Sequence, residues 1–417
     1  MTEPNTQPEP NTQSEPNTQP ALSNTHPNPQ PTIQPTTHAA IQPAMDRRAF
    51  VRAMAGGILL TLAGGTTAAA LSGCTSFGEA VTGEREFTDD MGRTLKIPTA
   101  SNLKRVYFTS GLAEIFVFTL NPDIIAGTAI QFTEEDRKYL PERMGELVYM
   151  GSLSEDGEIN RELLMAEKVQ VVFSISAVGL TQANLADANE LQNATNIPVI
   201  LLDGSMDKIT DCYRKLGDIL GMQSRAEELA SYCERVYDEV LTAVAPVQDA
   251  DKVTFFYAEG PQGLQTEPST SQHAVVFNMA GGKNVAQVPE GAAYGMSDVS
   301  LEQVMAWNPD VIVTWSWDEQ GGADQRIKTS DSWKNIKAVE TGRVYTMPSI
   351  PFAWVDRPPG VNRFLGLQWL ANMFYPHLYD VDMVEVAQEF YKLLYMVDVD
   401  AETMKGFLGN SYPPYGV

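Results

Sequence analysis

The segment PFAWVDRPPG, residues 351–360, holds the side chains best suited to recognising a ligand. Arg357 carries a permanent positive charge and a fork of N–H donors, which suit carboxylate, catecholate or hydroxamate oxygens. Trp354 offers a flat apolar face to an aromatic or macrocyclic group. The prolines after Arg357 restrict the loop, so that these side chains lose little entropy on binding. The alternative is that Arg357 pairs with Asp356 or another neighbour, and that Trp354 packs against the edge of a domain.

Further candidates for ligand binding follow predicted strands. Two of the four histidines lie within residues 1–44, so a zinc or manganese site built on three histidines is excluded. A lone histidine is more often a structural hydrogen-bonding group. The alternative is that His273, with Tyr257, completes an unsaturated ferric chelate. Ser110 and Trp317 also follow predicted strands and complete the set.

The pattern around these residues predicts two α/β lobes. Apolar strands alternate with helical segments over residues 87–222 and again over 247–417, and a long amphipathic helix over 223–246 joins the two blocks. Such alternation favours mostly parallel sheets covered by helices, here two Rossmann-like lobes. Ligands bind such folds at the carboxyl ends of the strands. We therefore expect the ligand in a cleft between the lobes.

One short phrase occurs once in each lobe. INRELLMAEKVQVVF begins at residue 159 and SLEQVMAWNPDVIV at residue 300, and each places a glutamate, Glu162 or Glu302, in the first turn of a predicted helix. The helix dipole favours an acidic residue there, so each glutamate alone is explained as a good helix start. That explanation does not account for two glutamates facing outward from equivalent edges.

The N-terminal segments have the features of an export signal. Residues 1–44 are rich in Pro, Asn, Gln and Thr, which predicts disorder or an upstream start-site artefact. Residues 45–73 resemble a twin-arginine signal that ends in a lipobox, so Cys74 is the predicted lipidation site and residues 74–86 a polar tether. The alternative is a plain membrane helix. The first interpretation predicts a lipid-anchored protein facing out of the cytoplasm at the cell membrane.

Composition excludes several function classes. The chain has 29 Lys and Arg against 53 Asp and Glu, a net charge of −24, which argues against nucleic-acid binding. The sequence has no histidine cluster, nucleophile elbow or phosphate loop, so we predict no enzymatic activity and no cofactor. Cys212 and Cys233 fall on consecutive predicted helices. A disulfide is chemically allowed there after export, and two buried free thiols are the alternative.

From about Phe87 onward, the chain resembles the substrate-binding proteins of bacterial ABC importers for ferric siderophores, haem and cobalamin. YAEGPQGLQTEPSTSQH, NMAGGKNVA, SLEQVMAWNPDVIV and FAWVDRPPGVNRFLGLQWLANMFYP carry the resemblance. It implies a ferric-siderophore-like ligand and delivery to an ABC permease dimer with its ATPase. It also implies that Glu162 and Glu302 dock on arginines of the two permease subunits. A haem or cobalamin receptor is the alternative within the family, and a secreted metal-assisted hydrolase or a sensor subunit is the alternative outside it.

Overall fold

The computed structural model describes residues 83–154, 157–289, 296–315 and 322–411. The predicted signal, Cys74 and Trp317 lie outside these ranges. Within them, no helix combines the length and apolar character that a membrane span needs. All of the described residues belong to one compact unit, Gly73–Val417.

The N-terminal lobe is a three-stranded parallel sheet of order β3-β4-β5, with an antiparallel hairpin formed by β1 and β2. Its elements are β1 (Glu84–Thr88), β2 (Thr94–Pro98), β3 (Val106–Phe108), α1 (Gly111–Leu120), α2 (Glu134–Arg137), α3 (Glu142–Glu146), α4 (Arg161–Ala166), β4 (Val171–Ser176), α5 (Gln182–Thr195), β5 (Val199–Asp203) and α6 (Ile209–Leu220).

The predicted connecting helix is confirmed as α7 (Gln223–Val244), and a four-stranded parallel sheet of order β11-β10-β6-β8 follows it. The elements after α7 are β6 (Thr254–Ala258), β7 (Gln265–Thr266), α8 (Val275–Met279), β8 (Lys283–Asn284), β9 (Ser297–Asp298), α9 (Leu301–Trp307), β10 (Val311–Thr314), α10 (Asp324–Thr329), α11 (Lys337–Glu340), β11 (Val344–Thr346), α12 (Arg363–Phe374), α13 (Met383–Phe390) and α14 (Ala401–Leu408). The α/β fold predicted from the alternating pattern is therefore confirmed.

The apolar run DIIAGTA, residues 123–129, predicts a further strand of this lobe, and that prediction is wrong. Residues Pro122–Ile124 form a 3-10 turn, and Asn121 caps it by accepting a hydrogen bond from the Asp123 amide at 3.1 Å. Ile125 contributes one isolated parallel bridge, to Val106. A capping asparagine followed by proline starts a helical turn, and this local preference prevails over the apolar run.

The core runs through both lobes. Strand β6 shows how, because Phe255 and Tyr257 join the cluster that extends into the N-terminal lobe, while Phe256 and Ala258 join a second cluster around α9 and β10. This division follows from the alternation of side chains along a strand. The rings of Phe118 in α1 and Phe352 contact each other at 5.9 Å between centroids, so aromatic packing joins the lobes.

The disulfide considered for Cys212 and Cys233 is not formed. Both residues are buried free thiols on α6 and α7, two antiparallel helices that pack together. Burial raises the pKa of both thiols, so both are protonated at neutral pH. They act as small apolar residues of the helix–helix interface.

Candidate functional site

The two lobes meet through the segment of residues 351–360. A methyl group built at Gly111, the first residue of α1, would lie 3.7 Å from Pro358 Cγ and 2.7 Å from Ile130 Cγ1. The distance to Pro358 is an ordinary van der Waals contact, and the tight contact is with Ile130 of the same lobe. Ser110, the predicted ligand residue just before, is half-buried and caps α1 by accepting a hydrogen bond from the Ala113 amide at 3.4 Å. The carboxyl end of β3 thus lies beside the Pro358 segment.

Arg357 lies in a buried ionic cluster at the carboxyl edge of the C-terminal sheet. Its Nη2 donates to Glu259 Oε1 at 2.8 Å and to Glu267 Oε1 at 3.2 Å, and its Nε donates to Glu259 Oε1 at 3.2 Å. The guanidinium stacks over the ring of Trp315, 4.8 Å from its centroid. The Arg357 side chain is 9% exposed, the same fraction as that of His273 in this cluster.

Asp356 organises the inner half of the same cluster. It accepts hydrogen bonds from His273 Nδ1 at 2.6 Å and from Arg363 Nη2 at 3.0 Å, and it is fully buried. Arg363 also donates to the carbonyl groups of Val355 and Gln272, at 3.1 and 2.8 Å. Burial alone would raise the pKa of Asp356, but His273 and then Arg363 hold that pKa below its usual range.

Glu259 is the acid of the cluster that holds a proton most readily. Burial raises its pKa to about 8, against the opposing effect of Arg357, and Glu267 and Asp356 raise it further. Its Oε2 is buried and has no hydrogen-bond partner among the described residues. Three carboxylates, of Glu259, Glu267 and Asp356, face two guanidinium groups and the ring of His273 in this cluster. A proton on Glu259 removes one negative charge beside Arg357.

Two predicted ligand residues belong to the core instead. Trp354 is fully buried, donates from Nε1 to the Tyr391 hydroxyl at 3.2 Å and packs edge-on against Trp369. Tyr257 lies inside β6, also fully buried, and packs on the ring of Phe277 with centroids 5.0 Å apart. Both rings contribute apolar area to the core, and their predicted ligand role stays a prediction.

His273 and Arg357 also have surroundings that differ from those of the predicted ligand loop. The Nδ1 atom of His273 is committed to Asp356, and the side chain is 9% exposed, so it is a structural partner of the cluster. Arg357 pairs with carboxylates, as the alternative for this loop stated. Among the described residues, no three His, Cys, Asp or Glu side chains are arranged to hold a metal ion.

Sequence reasoning missed three buried charged residues, Glu114, Glu259 and Glu267, and the buried Arg363. Glu114 Oε2 accepts from the amides of Ala129 at 2.7 Å and Ile130 at 3.0 Å, and burial raises its pKa to about 8. The signal was present in the sequence. Glu114 interrupts the apolar run of α1, and Glu259 directly follows the apolar strand β6.

The two glutamate helices match closely. Glu162 and Glu302 are both exposed and occupy the second position of α4 and α9. Asn160 and Ser300 cap the two helices by accepting from the amide three residues on, at 3.0 and 3.2 Å. The repeat therefore extends to the cap, and the docking role of the glutamates stays a prediction.

Two α/β lobes with parallel sheets, joined by a single long helix, form the architecture of a two-lobed binding protein. A family model described as periplasmic binding protein matches residues 120–351, more than half of the chain. The chain belongs to this periplasmic binding protein family, and the resemblance inferred from the sequence is confirmed.

Several relatives and solved structures that are similar to this chain are also binding proteins. The molybdate-binding protein MolA of Haemophilus influenzae is 27% identical over 75% of this chain and 91% of its own length. The Fe(3+)-citrate-binding protein YfmC of Bacillus subtilis is 22% identical over 52% of this chain and 66% of its own length. A solute-binding protein of an ABC transporter from Sulfurospirillum deleyianum superposes with a TM-score of 0.71 at 26% identity, covering 78% of this chain and 98% of that structure. The chain is thus an extracytoplasmic binding protein that delivers a ligand to an ABC transporter.

Proposed function

We propose that this protein is a lipid-anchored receptor at the outer face of the cell membrane, which captures a ferric chelate and passes it to an ABC permease dimer. The observation that carries the proposal is the position of Arg357. Its guanidinium belongs to a buried ionic cluster, its side chain is 9% exposed, and its segment meets the N-terminal lobe at Gly111. A chelate that offers carboxylate or hydroxamate oxygens fits such a donor.

Protonation of Glu259 makes this capture chemically consistent. An ionised Glu259 would offset the positive charge of Arg357, which it contacts directly, and so would oppose the approach of an anionic chelate. Because the pKa of Glu259 is raised to about 8, this acid is mostly protonated at pH 7. The proton leaves Arg357 with more of its positive charge to offer a ligand.

A molybdate-like oxyanion is the second candidate ligand. The similarity to the molybdate-binding protein covers 91% of that relative. Trp354 is buried, and a small oxyanion, unlike haem or a corrin, needs no flat aromatic face. Arg357 has the N–H donors to bind either ligand.

Ligand titration followed by intrinsic tryptophan fluorescence tests the proposal. Trp315 lies under Arg357, so a ligand that reaches the guanidinium should change its emission. The ligands are ferric citrate, a ferric hydroxamate, a ferric catecholate, hemin, cobalamin and molybdate, with inner-filter correction. Saturation by one ferric chelate supports the proposal, saturation by molybdate alone supports the second candidate, and saturation by hemin or cobalamin alone contradicts both.

A conservative variant ties the response to Arg357. Arg357→Lys keeps the charge that its carboxylate partners need but loses the fork, so it should weaken binding about tenfold or more. Arg161→Lys is the matched control, because Arg161 is an exposed arginine of α4 paired with Glu190. Equal affinities of the two variants would contradict a role for Arg357 in binding.

The anchor has a separate test. Cys74→Ser removes the predicted lipidation site and should move the protein from the membrane fraction to the soluble extracytoplasmic fraction. The unchanged chain should gain the mass of a lipid at its mature N-terminus. A variant that still sediments with membranes would contradict lipid anchoring.

A further inference from the structure

Gln131 is an exposed polar residue between two neighbours that are anchored in the protein. Ile130 is half-buried and Phe132 is buried, whereas Gln131 between them is exposed. The ring of Phe132 packs edge-on against the ring of Phe352, with centroids 5.8 Å apart. Phe352 belongs to the C-terminal lobe, in the same segment as Arg357. Gln131 therefore lies on the N-terminal side of the line where the two lobes meet.

The other neighbour of Gln131 is held at the same line of contact. A methyl group built at Gly111 would be 2.7 Å from Ile130 Cγ1 and 3.7 Å from Pro358 Cγ, so both side chains lie against this glycine. Pro358 directly follows Arg357. Consecutive Cα atoms are about 3.8 Å apart, so two held neighbours fix the backbone of Gln131 between them. Gln131 and the Arg357 segment are thus on opposite sides of one line of contact.

The backbone that leads into Gln131 is tied to a fully buried acid. Glu114 of α1 accepts, on its Oε2, hydrogen bonds from the amides of Ala129 at 2.7 Å and Ile130 at 3.0 Å. Its other oxygen, Oε1, is buried and has no hydrogen-bond partner among the described residues. Both hydrogen bonds of this carboxyl group therefore go to the two residues just before Gln131.

Core packing alone does not account for an acid at this position. The other residues of α1 after Gly111 are apolar or threonine, and all of them are buried. Burying a carboxyl group costs free energy that an apolar side chain would not cost. What Glu114 supplies is an acceptor for two backbone amides, which need partners when they are buried. Its role is to hold the backbone of residues 129–130 in place.

We propose that Gln131 contacts the ligand from the N-terminal lobe, opposite Arg357, and that Glu114 is the positioning residue that holds it there. This inference rests on the proposed function, because it takes the ligand to bind between the lobes at Arg357. A glutamine amide donates through Nε2 and accepts through Oε1. Gln131 therefore adds a neutral donor for a chelate oxygen to the charged donors of Arg357. The N-terminal lobe thereby contributes to the choice of ligand without adding a charge.

Affinity measurements on the full-length chain test the proposal. The probes are ferric citrate, a ferric hydroxamate, a ferric catecholate and molybdate, each followed by tryptophan fluorescence. Gln131→Ala removes the amide, and Gln131→Glu replaces it with a negative charge of nearly the same shape. Gln223→Ala is the matched control, because Gln223 is an exposed glutamine at the start of α7, where that helix packs against α6.

The two Gln131 variants should differ in the size of their effect. Gln131→Ala should weaken binding about threefold to tenfold, which corresponds to the loss of one hydrogen bond. Gln131→Glu should weaken the binding of an anionic ligand about tenfold or more, because it adds a like charge. Gln223→Ala should bind like the unsubstituted chain.

Variants of Glu114 test the positioning role. Glu114→Gln keeps an oxygen that accepts from both amides, so the affinity should be retained. Glu114→Leu removes the acceptor, so it should lose about as much affinity as Gln131→Ala. Because Glu114 acts through Gln131, the double variant Glu114→Leu/Gln131→Ala should bind no more weakly than the weaker single variant. Glu114→Asp, which draws the carboxylate back from the amides, replaces Glu114→Leu should that variant not fold.

Hydrogen exchange gives a measurement of the tie that needs no ligand. The amides of Ala129 and Ile130 should exchange slowly in the unsubstituted chain and in Glu114→Gln, because both keep the acceptor. The same amides should exchange faster in Glu114→Leu. Unchanged exchange in Glu114→Leu would overturn the positioning role.

The outcomes separate this inference from the proposed function. A ferric chelate that binds both Gln131 variants as tightly as the unsubstituted chain would overturn the role of Gln131 and leave the proposed function standing. Losses of affinity that add in the double variant would overturn the action of Glu114 through Gln131. Saturation by molybdate alone would contradict the ferric ligand, and the same variants measured with molybdate then decide for or against Gln131. If no probe saturates the unsubstituted chain, the proposed function fails and the ligand role of Gln131 fails with it.

Discussion

The outward-facing helices of the two lobes are alike, whereas the sheet edges that face each other are different. Helices α4 and α9 share the cap, the glutamate, the buried apolar residue, the exposed methionine and a left-handed residue just after the helix. At the facing edges, the N-terminal lobe buries one acid, Glu114, on backbone amides. The C-terminal lobe buries an ionic cluster around Arg357 and Asp356. The outward-facing helices of the two lobes thus resemble two copies of one surface. The facing edges of the two lobes, in contrast, carry different buried charges.

The largest expected effect comes from a substitution in the ionic cluster of the C-terminal lobe. Asp356→Asn keeps the shape of the side chain but removes the charge that Arg363 needs, and both residues are buried. Removing one partner of a buried pair costs about 3–5 kcal/mol, because the other charge stays uncompensated. We expect the free energy of unfolding to fall by about 3 kcal/mol in urea denaturation.

The control for this variant is an exposed pair in the lobe that lacks the cluster. Arg161 and Glu190 are 49% and 72% exposed. Glu190→Gln should therefore cost less than about 1 kcal/mol. Similar losses for Glu190→Gln and Asp356→Asn would mean that the cluster contributes no more than a surface pair.

The next effect compares the single acids of the two edges. Burial raises the pKa of Glu114 and of Glu259 from the usual 4.5 to about 8. Between pH 4.5 and 8 the folded protein holds protons that the unfolded chain has released, so its stability falls as the pH rises through this window. At about 1.4 kcal/mol per pKa unit, the fall for each buried acid is on the order of 5 kcal/mol at most.

Glu114→Gln should flatten this fall in part, because an amide oxygen still accepts from Ala129 and Ile130 but does not titrate. Adding Glu259→Gln should flatten it further. Urea midpoints at pH 5, 6, 7 and 8 measure the slope. A Glu114→Gln slope parallel to that of the unsubstituted protein would show that Glu114 does not hold a proton in this range.

A smaller effect tests the likeness of the outer helices. Asn160→Ala and Ser300→Ala each remove a cap that accepts one helix amide. Each should lower the free energy of unfolding by about 1 kcal/mol. The comparison predicts that the two losses agree, as measured by urea denaturation. Losses that differ by more than about 1 kcal/mol would show that the two helices are supported in different ways.

Much of the fold followed from the sequence, because periodicity and turn residues are local. The run VQVVFSIS predicted β4, and the spacing of apolar residues predicted α7. The strand predicted for DIIAGTA was wrong because of another local preference. The capping Asn121 and the proline after it favour a helical turn more strongly than the apolar run favours a strand.

The site was less predictable, because ion pairs join residues far apart in sequence. The sequence shows Arg357 and Glu259 but not that they meet across 98 residues. It shows an aromatic residue in a proline-rich loop but not that Trp354 turns into the core against Trp369. Burial of a charge is visible in sequence only as an acid inside an apolar run, as at Glu114.

The smallest expected effect concerns the left-handed residues that follow helices α4 and α9, where the two matching helices differ in residue type. Lys168 and Asn308 both adopt left-handed backbone, with φ of 53° and 48°, six residues after their glutamates. Left-handed backbone costs a lysine about 1–2 kcal/mol, and glycine relieves the strain at some cost in chain entropy. Lys168→Gly should therefore raise the free energy of unfolding by about 0.5–1 kcal/mol.

Asn308→Gly should not give the same gain. Asparagine tolerates left-handed backbone, and Asn308 Oδ1 accepts a hydrogen bond from the Lys337 amide at 2.8 Å, which glycine would lose. The variant should be neutral or less stable by up to about 1 kcal/mol. Opposite signs in urea denaturation would show that the C-terminal copy is tied to its lobe by a side-chain contact that the N-terminal copy lacks. Equal gains would show that the Asn308 hydrogen bond contributes nothing and that the two copies are energetically the same.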